Sequence, residues 1–512
     1  MTKDSWKHDR LFVGGGWTAS NAAGVLDVID PATEDVIGSV PDGDAKTAEA
    51  AIKAARHAFD EGPWPRMSPR ERGTALSRFA AILDERHDAL KELIMAETGS
   101  TGFLCDFVQV RGTIDIARWV GESVEHVVRW TEVSAPVGGP NGMSGHAVVR
   151  EPAGVVAAIT PFNFPFFLNI VKAVPALAAG CTVVLKPHPW TPLDAFELAR
   201  AAQEAELPPG VLNVITGGAE IGEELTTHPM VDMVTFTGST PTGRRIMAAA
   251  APTLKRLQLE LGGKSASIVL DDVPEAHVKA MGIMMNMIHA GQGCALQTRT
   301  LLPEHMLDAF VEGARDSLSY LKVGDPRETD TMIGPLIREQ QRVRVEEYVQ
   351  SGIDEGAELV FGGRRPGHLT KGFFYEPTLF INARNDMRIA REEIFGPVLT
   401  VLTYRTEEEA IRIANDSIYG LGGGVVTANT ARGFNVARQI RAGNVAVQTV
   451  GPAVNNFAAL RGTGPGWSAD EPGGIGLGIT GVFGGFKQSG VGREWGHHGI
   501  EEFTELKSIA WA

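Results

Sequence analysis

An α/β fold built on more than one sheet is what this sequence predicts, on three observations. The first is an alternation. From about Gly154 to Glu260, short β-branched apolar runs (VVAAIT, TVVLKP, VLNVIT, MVTFTG, RLQLELGG) take turns with amphipathic segments: FLNIVKAVPALAAG, PLDAFELARAAQEA and a helix from about Thr242 to Ala250. This is the rhythm of βαβ units on a parallel sheet. The second is a renewed alternation after Gly263: SASIVL, a Met-rich helix around Met281 to Ile288, then FIN, VLTVLTY and the helix EEAIRIAND. The third is the stretch from Asp44 to Ile94, where Ala and Leu recur at helical spacing and predict long helices covering the first sheet. Two strand-like runs, SGHAVVREP near 144 to 152 and FTELKSIAW at the C-terminus, fall outside both rhythms and are free to pair together or with another subunit. Gly451 to Gly481 is glycine-rich and aperiodic, and a loop of that length in a compact domain is usually functional or disordered.

Composition narrows the classes. At roughly 150 residues per domain, the 512 residues suit about three domains. Hydrophobic residues at 43% and charged residues at 21% describe a folded chain rather than a disordered one. A net charge of -15 repels a phosphate backbone, so nucleic acid is not an expected partner. Three cysteines, an odd number, make no disulfide framework and point to a reducing cytoplasm. The opening MTKDSWKHDRLFVGGGW is too polar for a secretory signal, and no run approaches the roughly 18 apolar residues of a membrane span. A cytoplasmic protein that does not span a membrane is expected.

The most informative thiol is Cys294, in HAGQGCALQ, where glycines let a ligand approach closely. Cys105 lies in an apolar run and Cys181 opens a strand, so both read as small buried hydrophobes. His289, five residues before Cys294, makes a Cys/His hydrolase the first alternative. GGKS at 262 to 265 lacks the leading glycine of a P-loop, Gln258 standing there. His497 and His498 are adjacent, which is wrong for two ligands on one helical face, and no Cys/His cluster has zinc spacing, so no metal is expected. GGAEIG at 217 to 222 is a distant echo of the dinucleotide fingerprint.

Taken in order, ITPFNFPF (159–166), VVLKPHPWTPL (183–193), FTGSTPTG (236–243), LELGGKS (259–265), GQGC (291–294), EEIFGPV (392–398) and GGFKQSGVGRE (484–494) resemble the aldehyde dehydrogenase superfamily over nearly the whole chain. Seven ordered motifs are far more specific than one. The resemblance implies a Rossmann-type cofactor domain (1–132 and 152–260), a second α/β catalytic domain (261–487) and a small oligomerisation element (133–151 and 488–512) that pairs subunits into dimers or tetramers. It also implies NAD(P)-dependent oxidation of an aldehyde to a carboxylic acid, with hydrolysis of a thioester.

Residue by residue, Cys294 matches the family's nucleophile, which carries a thiohemiacetal and then a thioester. Asn163 matches the oxyanion donor, and Glu260 the general base for deacylation, its apolar neighbours implying a raised pKa. Lys172 matches a lysine linked to proton relay. Thr160, Pro161, Phe162, Lys186, Gly218, Phe236, Gly238, Ser239, Leu261, Glu393 and Phe395 match cofactor positions. Among them Lys186 matches the lysine that contacts the adenosine ribose, Glu393 and Phe395 match the pair around the nicotinamide ribose, and Gly238 and Ser239 precede a helix whose N-terminus can attract the pyrophosphate. Phe162, Phe166, Leu168, Val171 and Ala295 match the aldehyde tunnel and imply a hydrophobic substrate.

Three departures stand out. Pro189 replaces the glutamate with which many NAD-preferring members repel a 2′-phosphate, and no arginine near Lys186 is placed to attract one, so NAD is expected with NADP possible. His289 replaces the asparagine often found before GQxC, and Gly451 to Val482 intervenes where the family runs a short loop. The alternatives are a coenzyme A-acylating member, against which Glu260 speaks, and a cysteine hydrolase needing no cofactor. A non-catalytic relative has no reason to retain Cys294, Asn163 and Glu260 together.

Overall fold

A computed structural model describes residues 6–20, 24–140, 142–450 and 481–511. The glycine-rich run beginning at Gly451 falls outside the described residues, apart from Gly481.

The first alternation folds as five parallel strands, Val155–Ile159, Thr182–Lys186, Leu212–Val214, Met233–Thr237 and Arg256–Glu260. Their order across the sheet is third, second, first, fourth, fifth. The chain therefore winds outward both ways from Val155–Ile159, and the winding reverses between that strand and Met233–Thr237. Antiparallel strands close both edges: the hairpin Arg10–Val13 and Gly16–Ala19 beside Leu212–Val214, and Gly490–Val491 beside Arg256–Glu260. The inner strands are buried on both faces, which is why they read as continuous apolar runs rather than alternating ones.

The helix Pro165–Ala179 is buried along its whole length. It lies between the sheet and the helices Pro69–Glu85 and Arg111–Val127, and a helix enclosed on all sides is apolar on all sides. Pro165 opens it where no backbone N–H is needed, and Gly180, at φ 99°, ends it in the left-handed conformation.

The second alternation gives a seven-stranded sheet ordered Glu358–Phe361, Thr378–Ile381, Val398–Tyr404, Arg299–Pro303, Ala266–Val269, Gly422–Thr427, Asn444–Thr449. Only the first pair is antiparallel. The single Met-rich helix expected at about 281 to 288 is divided. Glu275–Met281 stops at Gly282 (φ 56°), Met284–Met287 makes one turn, and Ile288–Gly291 tightens into a 3₁₀ turn.

The two strand-like runs outside these rhythms are each other's partners within one chain. Thr504–Trp511 pairs antiparallel with Gly142–Pro152, Thr504 facing Pro152 and Trp511 facing Gly145, while Thr131–Val133 takes the other edge. Among the described residues no helix is long and apolar enough to cross a membrane.

Candidate active site

In open α/β sheets ligands bind at the carboxyl ends of strands where the winding reverses. Here those ends converge on one cleft of about 200 Å³. Pro161, Phe162 and Asn163 follow the first strand, Thr237, Gly238 and Ser239 end the fourth, and Glu260 and Gly262 end the fifth. The second sheet's unit supplies Cys294, Gln341, Arg344, Glu393 and Phe395 to the same cleft.

Two glycines let the halves meet. A Cβ on Gly262 would lie 2.4 Å from a Glu393 carboxylate oxygen, and one on Gly263 would lie 2.4 Å from the Cys294 carbonyl oxygen. Either side chain would displace what it touches. Cys294 follows the turn Ile288–Gly291, in which His289 (φ 53°), Ala290 (φ 51°) and Gly291 (φ 74°) are all left-handed. The Asn163 Nδ2 donates one hydrogen bond to the Gln292 carbonyl at 2.9 Å, which leaves its second N–H for the cleft.

Glu260 is 2% exposed, and neither carboxylate oxygen has a hydrogen-bond partner of good geometry. The Cys294 thiol is its neighbour and interacts with it loosely. Burial, and next the charge of Glu494, push the Glu260 carboxyl well above the usual carboxylate range, while Lys172 pulls it down. Burial likewise pushes the Cys294 thiol well above its ordinary value, with Glu260 and Glu393 adding to the effect. The cleft thus sets a thiol and a buried carboxyl, both of raised proton affinity, side by side.

Lys172, fully buried, donates to the Glu494 carboxylate at 2.7 Å and to the Thr235 hydroxyl at 3.1 Å. Glu494 closes the GGFKQSGVGRE motif but carries no signal of its own in the sequence. Its placement depends on Gly490–Val491 joining the strand that carries Glu260. Cys105 and Cys181 lie in the core, the latter pushed up to about 12 by burial.

The cofactor candidates spread along the same edge. The Thr160 N–H donates to the Lys186 carbonyl at 3.2 Å, and its hydroxyl donates to Asn169 Oδ1 at 2.7 Å. Lys186 is buried, its Nζ reaching only the Pro187 carbonyl at 3.3 Å, and burial lowers its pKa to about 8. Ser239 caps the helix Thr240–Ala250, and exposed Gly218 precedes the helix Ala219–Thr227. Phe236 and Leu261 are buried beneath this edge, where side chains on Gly238 and Gly243 would strike them. Glu393 accepts the Gly263 N–H at 2.9 Å and is raised to about 7 by burial. The Phe395 ring meets Phe162 edge-on, centroids 5.8 Å apart. A dinucleotide fits such a set, with helix N-termini, an ammonium with unused donors and a half-buried carboxylate along one edge.

Gln341 and Arg344 carry no motif, and on a helix they read as a solvated face. Gln341 donates to the Phe395 carbonyl and Arg344 to the Glu393 carbonyl, each at 2.7 Å, so they hold the loop that bears both candidates. Arg338, far along the chain, lies 6.0 Å over the Trp190 ring, and Trp190 contacts His188 at 4.8 Å.

Of the tunnel candidates, Phe162 lines the cleft and Ala295 is exposed beside Cys294. Phe166, Leu168 and Val171 are buried in the core of the first unit and are not among the residues lining this cleft. One helical step of about 100° separates Phe166, wholly buried, from Phe167, whose ring reaches Trp495 at 6.1 Å. Phe164 contacts Phe167 at 6.4 Å and Phe483 stacks on Trp495 at 4.4 Å; Phe164, Phe167 and Trp495 pack with the core of the first unit and do not line the cleft.

The aldehyde dehydrogenase family matches residues 17–472. The chain belongs to the aldehyde dehydrogenase family. A 3-succinoylsemialdehyde-pyridine dehydrogenase from a Pseudomonas species is 40% identical, with 98% of both chains covered. A Mycobacterium tuberculosis aldehyde dehydrogenase crystallised with NAD+ superposes at a TM-score of 0.89 with 44% identity and 98% of each chain covered. Aldehyde dehydrogenase C of Pseudomonas syringae, a cysteine-to-alanine mutant holding NAD+ and octanal, superposes at 0.88 with 37% identity, covering 98% of this chain and 96% of its own.

For this aldehyde dehydrogenase, the raised thiol and carboxyl set a pH dependence. Both groups must lose a proton to act as nucleophile and base. A raised pKa moves the ascending limb of activity toward alkali. The ascending limb of kcat/KM should lie alkaline of the ordinary carboxylate range, and a plateau already reached near pH 5 would contradict the raised Glu260 carboxyl.

Proposed function

We propose that the enzyme oxidises hydrophobic aldehydes to carboxylic acids with NAD+, through a thiohemiacetal and then a thioester on Cys294, and that Glu260 activates the water that releases the acid. The observation that carries this reading is the Cys294 thiol beside a buried, unpartnered Glu260 in a cleft shared with Asn163.

The chemistry follows from those positions. The Cys294 sulfur attacks the carbonyl carbon while Glu260 takes its proton. Charge collecting on the carbonyl oxygen meets the free N–H of Asn163, and losing one such donor typically costs 10²–10³ in rate. Lys186, Ser239 and Glu393 would hold the cofactor, and bound NAD+ supplies the hydride acceptor that turns the adduct into a thioester. Once Glu260 has passed the thiol proton on, it accepts a proton from water, whose oxygen attacks the thioester carbon as the C–S bond breaks and the sulfur leaves as thiolate. The Lys172–Glu494 pair behind Glu260 gives that proton an outlet. Glu260 favours hydrolysis over transfer to coenzyme A, and the cofactor edge favours a dehydrogenase over a hydrolase. Phe162 and Phe395, which line the cleft, support an apolar or aromatic substrate, as do the octanal bound by one relative and the pyridine named for another. Three thiols without a disulfide suit a cytoplasmic setting.

A homodimer or homotetramer is part of the same reading. Leu506, Ile509 and Trp511 are exposed on the C-terminal strand, and among the described residues Asn444–Thr449 is an edge strand of the second sheet. Light scattering should give a multiple of 54.7 kDa, and a monomer alone at micromolar concentration would contradict it.

The catalytic assignment is tested with Glu260→Gln. With octanal and either NAD+ or NADP+, the variant should release one equivalent of reduced cofactor per Cys294 and then stall, because removing a general base slows its step by about 10²–10⁴. Normal turnover would exclude Glu260 as the base for deacylation. A wild-type preference for succinate semialdehyde over octanal would overturn the substrate class.

A further inference from the structure

The turn carrying Cys294 and the loop carrying Asn163 are joined by a closed ring of buried hydrogen bonds. The His289 Nδ1 meets the Ser100 hydroxyl at 3.2 Å. Gln109 Nε2 donates to that hydroxyl at 2.7 Å and to the Asn163 backbone carbonyl at 3.1 Å. The Asn163 amide donates to the Gln292 carbonyl at 2.9 Å, and Gln292 returns to the His289 carbonyl through its backbone N–H at 3.0 Å and its side chain at 3.1 Å. All five residues are under 5% exposed. Gln109 ends the π-helical turn Cys105–Gln109, the kind of insertion that re-aims a side chain at functional sites.

The ring has a physical task. Three consecutive left-handed residues, two of them not glycine, cost conformational energy and persist only where surroundings over-determine them. Histidine is among the residues that accept this region more readily. Its ring is held between the Ser100 hydroxyl and the edge-on ring of Phe164 at 5.1 Å. Burial keeps the imidazole neutral, its pKa lowered to about 4, so Nδ1 and the Ser100 hydroxyl share one proton whichever of them donates. The side chain locks the turn, and the same ring sets the one Asn163 N–H bond that aims the other N–H at the cleft.

We propose that His289, with Ser100 and Gln109, is a positioning residue that fixes the Asn163 amide relative to Cys294 and so sets the strength of oxyanion stabilisation. This rests on Asn163 being the oxyanion donor, and it adds residues outside the cleft to the machinery of the reaction.

The test is a double-mutant cycle on kcat and KM. Asn163→Ala should lower kcat about 10²–10³-fold. His289→Ala should lower kcat by roughly 10- to 100-fold in the wild-type background, the scale of a small misplacement of a reacting group, with KM nearly unchanged. In the Asn163→Ala background the same change should cost less than about twofold, because there is no amide left to position. His289→Asn, which accepts the left-handed region and can still meet Ser100, should recover most of the loss. Ser100→Ala, a deletion of one hydroxyl, repeats the cycle if His289→Ala does not fold. Equal fold-losses in both backgrounds, or full kcat in both His289→Ala and Ser100→Ala, would overturn the proposal alone. Full kcat in Asn163→Ala would overturn the oxyanion reading and the proposal with it.

Discussion

A carboxylate buried without a hydrogen-bond partner is the constraint on which the site depends. Taking such a group out of water is costly unless it is protonated or paired, and Glu260 is placed at a strand end beside the Cys294 thiol with neither oxygen hydrogen-bonded in good geometry. Its high proton affinity is the useful consequence. A carboxyl that holds a proton strongly takes one from a thiol or a water better than an exposed one does. The fold tolerates the arrangement because Lys172 stands close enough to oppose the burial, and Lys172 is itself compensated by Glu494. Three buried ionisable groups thus share one region without bulk water.

The second constraint is proximity between two separately built sheets. The reversal in strand order brings Asn163, Ser239 and Glu260 to one edge of the first sheet. Cys294 and Glu393 belong to the other unit, and they reach that edge only because Gly262 and Gly263 present no side chain. The glycines of LELGG are therefore explained by what touches them, and the tight turn at His289 by the ring of hydrogen bonds that holds it.

Much of the fold was legible because buried parallel strands are continuous apolar runs, and the alternation with helices repeats from Val155 to Glu260 without interruption. The residues following those strands were legible as motifs. Other features carried no local signal. Gly282 divides the Met-rich segment, although a lone glycine within a helical pattern is often tolerated. Phe166 and Phe167, one helical step apart, both pack in the core, and a string of adjacent aromatics does not show which of them meets Trp495. Glu494, Arg338, Gln341 and Arg344 matter through contacts distant in sequence, and on their own elements each resembles a solvated polar residue. Ser100 and Gln109 were invisible for the same reason, being ordinary polar residues until the fold brings them to His289.

The central claim is that the acyl group passes through Cys294. Rapid acid quench of the Glu260→Gln enzyme with octanal and NAD+, followed by peptide mass spectrometry, reads this directly. The account predicts an octanoyl increment on the peptide containing Cys294, dependent on the cofactor. Formation of reduced cofactor with that peptide unmodified at every quench time, or with the increment on Cys105 or Cys181, would contradict it.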